Sequence, residues 1–179
     1  MTETQDRAAE RAADNGAFDT VTRTFTYARP GQGDLHRMLE LDGLGQLQAI
    51  VDGELPPPPL MATLGLTEFR AERGRVVTAM PAAEFHYNPL GTVHGGVLST
   101  LLDTAAGCAV HSTLAVGEMY TSLDLTVKFL RPATVDSGLL TAEGTVIQRG
   151  RRTALAEARL TDGAGKLVAH ATSSCMIFS

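Results

Sequence analysis

Residues 95–114, which read GGVLSTLLDTAAGCAVHSTL, predict the one long helix of the chain. Apolar residues recur there at intervals of three and four, as on the face of a helix; these are Val97, Leu98, Leu101, Leu102, Ala105, Cys108 and Ala109. Small residues fill most other positions, so the helix is apolar on nearly every side, which indicates burial. Asp103 is its one acidic residue, and a carboxylate there is costly unless it is paired or takes part in chemistry.

Strand patterns flank this helix on both sides. Residues 64–80 predict a hairpin that turns at Glu72-Arg73-Gly74. After the helix, residues 120–130, 139–149, 153–161 and 166–178 are typical of strands. Alternation within 120–130 predicts that Thr121 faces the helix together with Leu123 and Val127. This order predicts an α+β fold, in which an antiparallel sheet of about six strands wraps around one buried helix.

The first 59 residues are expected to lie outside this domain. Residues 1–33 carry alternating charges and no apolar face, which is typical of a flexible tail. Residues 34–59 predict an N-terminal helix, with Asp34 as N-cap and an apolar side from Leu41 to Val51. The run Pro56 to Pro59 then predicts a stiff, extended connector. The domain proper is expected to span residues 60–179.

Composition narrows the class of protein. The chain has 179 residues, 44% of them hydrophobic, and a net charge of −5. A nucleic-acid binder is disfavoured, because such proteins usually carry a basic surplus. Two cysteines rule out a disulfide scaffold, and the five histidines show no metal-ligand spacing, so neither a metal nor a cofactor is predicted. No apolar run reaches the roughly 20 residues of a membrane span, and residues 1–20 contain no signal-peptide core. We therefore expect a cytoplasmic protein with no membrane partner.

The segment Asn88 to Gly96 (NPLGTVHGG) leads into the long helix. Glycines at such a junction let a ligand approach the backbone, and the free N–H groups of a helix start favour negative charge. Asp103 follows Gly95 by eight residues, which is about 12 Å along a helix. An amide and a carboxylate that far apart are poorly placed to act on one carbonyl group. If both are catalytic, we expect a dimer in which each site takes one group from each chain.

Together these residues resemble a known family. Asn88, the His94-Gly95-Gly96 step, Asp103 and the stretch from Ser122 to Ala133 (SLDLTVKFLRPA) resemble the hotdog-fold acyl-CoA thioesterases, in particular their phenylacetate-degradation (PaaI-like) branch. The Gly150-Arg151-Arg152 step and the last predicted strand match as well. The resemblance spans about residues 60–178.

The resemblance implies hydrolysis of an acyl-CoA thioester to a free acid and CoA. It implies that the Gly95 N–H and the Asn88 side chain hold the thioester carbonyl, and that Asp103 of the partner chain acts as general base or nucleophile. A hydroxyl on the following strand would position the water. Motif alignment selects Ser122 for this role and strand parity selects Thr121, and both remain candidates. His94 is expected to shape the loop or orient the substrate.

Substrate contacts follow from the same reasoning. Arg131, Arg151 and Arg152 are candidates to bind the CoA phosphates, because guanidinium groups match phosphate oxygens. The acyl group is expected to contact Phe85, Tyr87 and Gly96. Two other functions remain open, a non-catalytic acyl-CoA-binding domain and a dehydratase or hydratase of the same fold. The sequence also leaves open whether homodimers pair into tetramers.

Overall fold

The computed structural model describes residues 19–29 and 35–179. The helices are α1 (Leu35–Glu40), α2 (Gly43–Val51), α3 (Pro59–Leu64) and α4 (Gly95–His111). The strands are β1 (Glu68–Glu72), β2 (Arg75–Pro81), β3 (Met119–Ser122), β4 (Thr126–Phe129), β5 (Leu139–Arg149), β6 (Thr153–Thr161) and β7 (Leu167–Phe178). They form an antiparallel sheet in the order β1-β2-β5-β6-β7-β3, and β4 also pairs with β7. The predicted α+β fold, a sheet around one long helix, is confirmed.

Small residues let α4 lie close to the sheet. Ala154, Ala156 and Ala158 alternate along β6 and are buried beneath the helix. On β5, a Cβ added at Gly144 would lie 2.1 Å from the carbonyl oxygen of Ala105 on α4. The core then fills with branched side chains that are fully buried, among them Leu101, Leu102, Leu140 and Leu160.

One side of α4 is open to solvent in the single chain. Gly96 and Asp103 are exposed, and Ser99 and Thr100 are half-buried. The expectation that this helix is buried on nearly every side is therefore wrong along this stripe. The Ser99 and Thr100 hydroxyls donate to the carbonyls of Gly95 and Gly96, each at 2.8 Å. Small residues whose hydroxyls form hydrogen bonds within their own helix fit either a buried or an exposed face. Composition alone therefore cannot distinguish the two.

The strand predicted over residues 120–130 is divided into β3 and β4. Ser122 pairs with Cys175 of β7 and Val127 pairs with Ala171, so five steps of one strand oppose four of the other. The extra residue makes a bulge. It is held at Asp124, whose carbonyl oxygen accepts from the Ser173 hydroxyl at 2.8 Å and whose carboxylate accepts from the Ser174 N–H.

Because of this bulge, each residue of β3 faces the side of the sheet opposite to the one that unbroken alternation predicts. Ser122 lies opposite the buried Cys175 and therefore faces the helix. Thr121 pairs with the exposed Met176 on the outer face. The expectation that Thr121 faces the helix is therefore wrong, because it assumed an unbroken alternation through the bulge.

The N-terminal part contains three short helices. The helix expected over residues 34–51 is broken before Gly43, where Asp42 is an N-cap that accepts from the Gly45 N–H at 2.8 Å. Gly43 must be glycine, because an added Cβ would lie 1.8 Å from the carbonyl oxygen of His111. Pro59, expected in the extended connector, instead begins α3, since the first position of a helix needs no N–H. The N-cap predicted at Asp34 lies outside the described residues.

Residues 19–29 contain no helix or strand, and all of them are exposed. They contact the domain through Arg23, whose guanidinium donates to the carbonyls of Thr63 and Ala62 at the end of α3 and lies 4.0 Å from the Phe85 ring centroid. The rest of the predicted tail, residues 1–18 and 30–33, lies outside the described residues. Among the described helices, none combines the length and hydropathy that a bilayer span requires.

Candidate active site

The backbone amides in the first turn of α4 differ in their hydrogen-bond partners. His94 is the N-cap, and its Nδ1 accepts from the Gly96 N–H at 2.8 Å, while its own N–H donates to His86 at 2.8 Å. Nowhere in residues 19–29 and 35–179 does the Gly95 N–H have a hydrogen-bond acceptor. This amide lies at the positive end of the helix dipole, where a partial negative charge is stabilised.

Gly95 opens onto a groove of about 360 Å³. Leu98, Phe129 and Leu130 form apolar walls, and Arg131 lies at the same groove. A Cβ at position 95 would lie only 3.0 Å from Cζ of Phe129, so glycine is what allows the ring to approach the amide. An apolar groove with one free amide suits a carbonyl group that is attached to an apolar chain.

Asn88 holds the turn that precedes Gly95. Its Oδ1 accepts from the N–H groups of Leu90 (2.9 Å) and Thr92 (3.3 Å), and its Nδ2 donates to the Thr92 hydroxyl at 3.0 Å. Val93, which follows Thr92, donates its N–H to the Ala133 carbonyl at 2.8 Å. The contacts of Asn88 therefore fix the loop, and one of its two Nδ2 hydrogens has no partner among the described residues.

Asp103 lies on the open stripe of α4 and is not part of the groove at Gly95. Although the carboxylate is exposed in the single chain, the atoms packed around it exclude part of its hydration. This desolvation raises the pKa of Asp103 above that of an ordinary aspartate. A raised pKa makes a carboxylate a stronger base, which suits proton abstraction from water.

Strand β3 brings Ser122 and Tyr120 to the same side as Asp103. The Ser122 side chain lies opposite Cys175 of β7, so it is on the helix side of the strand. Burial raises the pKa of Cys175, and the Asp103 charge contributes to this shift. Burial together with nearby acidic groups, Asp103 among them, also raises the pKa of Tyr120 well above its usual value. The Asp103 charge thus acts on Tyr120 and Cys175, which share the helix side of the sheet with Ser122, whereas Thr121 lies on the outer face.

Sequence reasoning missed Tyr120. Its hydroxyl lies 2.7 Å from where a Cβ at Gly107 would be, and its ring makes an edge contact with His111 at 5.7 Å. Tyr120 precedes Ser122 by two residues, so a correct strand parity would have placed both on the helix side.

The remaining candidates are dispersed. Phe85 is 53% exposed and stacks against Arg23, and the Tyr87 hydroxyl accepts from the Val135 N–H at 2.8 Å. Neither of them lines the groove, and the Gly96 N–H is occupied by His94. Arg131 lines the groove, and its Nε donates to Leu167 at 3.2 Å. Arg151 and Arg152 are exposed on the turn between β5 and β6, apart from the groove at Gly95.

Comparisons with known proteins show which family this chain resembles. The profile of the thioesterase superfamily matches residues 90–169, which include the first turn of α4 and Asp103. Human acyl-coenzyme A thioesterase 13 is 33% identical over 106 residues, which are 58% of this chain and 74% of that protein. The 1,4-dihydroxy-2-naphthoyl-CoA hydrolase of Listeria monocytogenes is 30% identical over 61% of this chain and 87% of its own length.

A solved structure is similar as well. The crystal structure of a phenylacetic acid degradation-related protein from Ralstonia eutropha JMP134 superposes with a TM-score of 0.66. It is 35% identical, and the match covers 73% of this chain and 98% of that one. With these matches in sequence and in fold, the chain belongs to the thioesterase superfamily, and it is a thioester hydrolase with the hotdog fold.

Proposed function

We propose that this protein hydrolyses acyl-CoA thioesters to a free carboxylic acid and CoA. The observation that carries the proposal is the Gly95 amide at the N-terminus of α4, which lines an apolar groove and has no acceptor in the described part of the chain. Two relatives whose names specify CoA thioesters as substrates support the choice of CoA as the thiol.

The Gly95 N–H stabilises the charge that develops on the thioester oxygen. When water attacks the carbonyl carbon, the C=O electron pair moves to oxygen, and a donor fixed at that point lowers the barrier without reorganising. The helix dipole adds to this effect. When the tetrahedral intermediate collapses, the C–S bond breaks and the electron pair leaves with the CoA sulfur.

Asp103 takes the proton from the attacking water and returns it to the departing thiolate. The alternative is a direct attack by the carboxylate, which forms an anhydride that water then cleaves. Ser122, on the helix side of β3, positions the water. His94 and Asn88 act on the backbone, since one caps the helix at Gly96 and the other fixes the loop.

The two reacting groups come from different protomers of a homodimer. Gly95 and Asp103 are separated by about 12 Å along α4, which is too far for both to act on one carbonyl. The outer edge of β3 and β4 has no partner strand in the described part of the chain, and an unpaired edge is a template for pairing with a second copy. Leu123, Phe129 and Leu130 are exposed along this edge. An isologous dimer across the edge and the open stripe of α4 would cover both surfaces.

Arg131 is the first candidate to bind the CoA phosphates, because it lies at the groove that contains Gly95. Arg151 and Arg152 occupy an exposed turn and would bind the nucleotide end where it leaves the groove. Arg151 and Arg152 lie apart from the groove that holds the thioester, so their contacts would affect KM more than kcat.

The test is release of free thiol from a panel of acyl-CoAs, with the Asp103→Asn variant as control for background hydrolysis. We expect hydrolysis of at least one thioester by the wild type and loss of that activity in the variant. Binding of acyl-CoA without release of thiol would instead identify a non-catalytic binding domain. Hydration of an enoyl-CoA without hydrolysis would identify a hydratase.

A further inference from the structure

The N-terminal helices enclose an apolar cavity of about 90 Å³ against α4. The cavity is largely closed to solvent and its surface is almost entirely apolar. Helices α2, α3 and α4 all contribute to its lining, among others through Leu47 and Ile50 of α2, Met61 and Leu64 of α3, and Thr104 and Cys108 of α4.

The α4 wall of this cavity lies next to the proposed base. Thr104 directly follows Asp103 in the sequence, and Cys108 lies one turn further along. The Asp103 charge acts on the Cys108 thiol and, together with burial as the larger cause, raises the pKa of Cys108 to about 12. The cavity therefore lies beside the stretch of α4 that carries Asp103, in the protomer that supplies this base.

The size of the cavity limits which acyl groups can fit. One water molecule takes about 30 Å³, and a dry cavity of about 150 Å³ lined by Leu, Ile and Phe accepts benzene. At about 90 Å³ this cavity is smaller than that benzene-binding one, and it suits the end of a straight aliphatic chain better than a phenyl ring.

Most of the cavity is built by residues outside the superfamily match. Four of the six residues named above precede residue 90, where that match begins. We propose that the N-terminal helices form an acyl-tail site, in which Ile50, Met61 and Cys108 set a preference for short to medium straight-chain acyl groups over aryl groups. The inference rests on the proposed acyl-CoA thioesterase function and specifies its substrate class.

Two substitutions at neighbouring positions distinguish the effect of filling the cavity from general effects of a change in α2. Ile50→Phe fills the cavity, and Val51→Phe adds the same ring at a position that is 52% exposed and outside the lining. We expect Ile50→Phe to lower kcat/KM for hexanoyl-CoA and octanoyl-CoA by about tenfold or more, because hydrophobic pockets discriminate single methylenes by roughly 10- to 200-fold. Acetyl-CoA turnover should stay within about twofold, since that chain does not reach the cavity.

A second variant covers the case in which Ile50→Phe fails to fold. Ile50→Ala enlarges the same space and should move the preferred acyl length upward by one or two methylenes. Identical chain-length profiles for the wild type, Ile50→Ala and Val51→Phe would overturn the inference.

The inference is also testable by binding, independently of turnover. The Kd of octanoyl-CoA, measured by calorimetry in the Asp103→Asn background, should rise about tenfold with Ile50→Phe and stay unchanged with Val51→Phe. If no acyl-CoA is hydrolysed but this difference in Kd is found, the proposed hydrolysis is wrong and the acyl-tail site is supported. Equal Kd values for both variants would show that the chain binds elsewhere, whatever the activity.

Discussion

At the scale of single residues, the account depends first on the Asp103 carboxylate. Asp103→Asn keeps the shape of the side chain and removes its basicity, so kcat should fall by about 10²-fold or more. Steady-state kinetics on the best acyl-CoA will measure this. Asp136→Asn, an exposed acid on the turn before β5, is the matched control and should retain wild-type kcat. Equal kcat values for both variants would remove Asp103 from the mechanism.

The raised pKa of Asp103 has two consequences for pH dependence. The base must be ionised, so kcat/KM should fall as the pH drops through a value above the roughly 3.9 of a free aspartate. The folded-state pKa exceeds the unfolded one, so ionisation opposes folding at all pH values above the folded pKa, and this cost vanishes below the unfolded pKa. At pH 7 the Tm of Asp103→Asn should therefore equal or exceed that of the wild type. A lower Tm would contradict the desolvation that we describe.

The choice between Ser122 and Thr121 is a further prediction at this scale. Ser122 faces the helix opposite the buried Cys175, while Thr121 faces outward opposite Met176. We expect Ser122→Ala to lower kcat by about tenfold or more, as loss of a positioned hydroxyl removes part of the general-base effect. Thr121→Ala should leave kcat unchanged. The opposite ranking would mean that the bulge at Asp124 does not place Ser122 at the site.

His94 also allows a prediction, because asparagine can replace a histidine that caps the helix but not one that takes part in catalysis. Its Nδ1 accepts from the Gly96 N–H, and asparagine is also a good N-cap. His94→Ala should therefore lower the free energy of unfolding by about 1 kcal/mol, and His94→Asn should restore both stability and turnover. Denaturant unfolding and kinetics on the three proteins will separate the roles. A stable His94→Asn protein without activity would make His94 a catalytic residue.

At the scale of elements, Gly144 tests the close approach of α4 to the sheet. Alanine is ordinarily better than glycine inside a strand, by roughly 0.5–1 kcal/mol. Here the added Cβ would lie 2.1 Å from the Ala105 carbonyl oxygen, so Gly144→Ala should lower the free energy of unfolding by about 1–3 kcal/mol. Thr145→Ala, the next position on β5, reports the cost of a change in the same strand without this contact. A Gly144→Ala protein more stable than the wild type would show that the helix has room to shift.

Elements whose contacts lie within the chain could be predicted from the sequence. Helix α4 and strands β5, β6 and β7 begin and end within a few residues of their predicted bounds, because their periodicity reflects packing that the chain itself supplies. The segment 119–129 could not be predicted in this way. Leu123 and Leu125 continue the alternation in the sequence, while the extra residue of the bulge reverses the facing of Ser122. The start of α3 at Pro59 was missed for a comparable reason, since a proline run also permits a first helical turn.

At the scale of the whole molecule, the sequence carries the spacing between residues along one helix but not the surroundings of that helix. The spacing of Gly95 and Asp103 along one helix already separated them by about 12 Å. The exposure of Asp103 could not be predicted, because burial by a second copy leaves the same apolar pattern as burial within one chain. The acyl-tail cavity was equally inaccessible, since it depends on how α2 and α3 fold back onto α4.

The central claim, that each site takes Gly95 from one protomer and Asp103 from its partner, is tested most directly by complementation. Gly95→Pro removes the amide hydrogen at the first helical position, where proline is tolerated and where His94 already has a compatible backbone (φ −61°, ψ 135°). Gly95→Ala, which keeps the N–H and adds a Cβ, is the control for crowding against Phe129.

Co-expressed Asp103→Asn and Gly95→Pro chains should form mixed dimers in which one of the two sites has both groups intact. With random pairing of the chains, the mixture should recover about a quarter of wild-type kcat, while each variant alone stays inactive. A folded mixture that remains as inactive as its parents, with mixed dimers present by native mass spectrometry, would contradict a site shared between protomers.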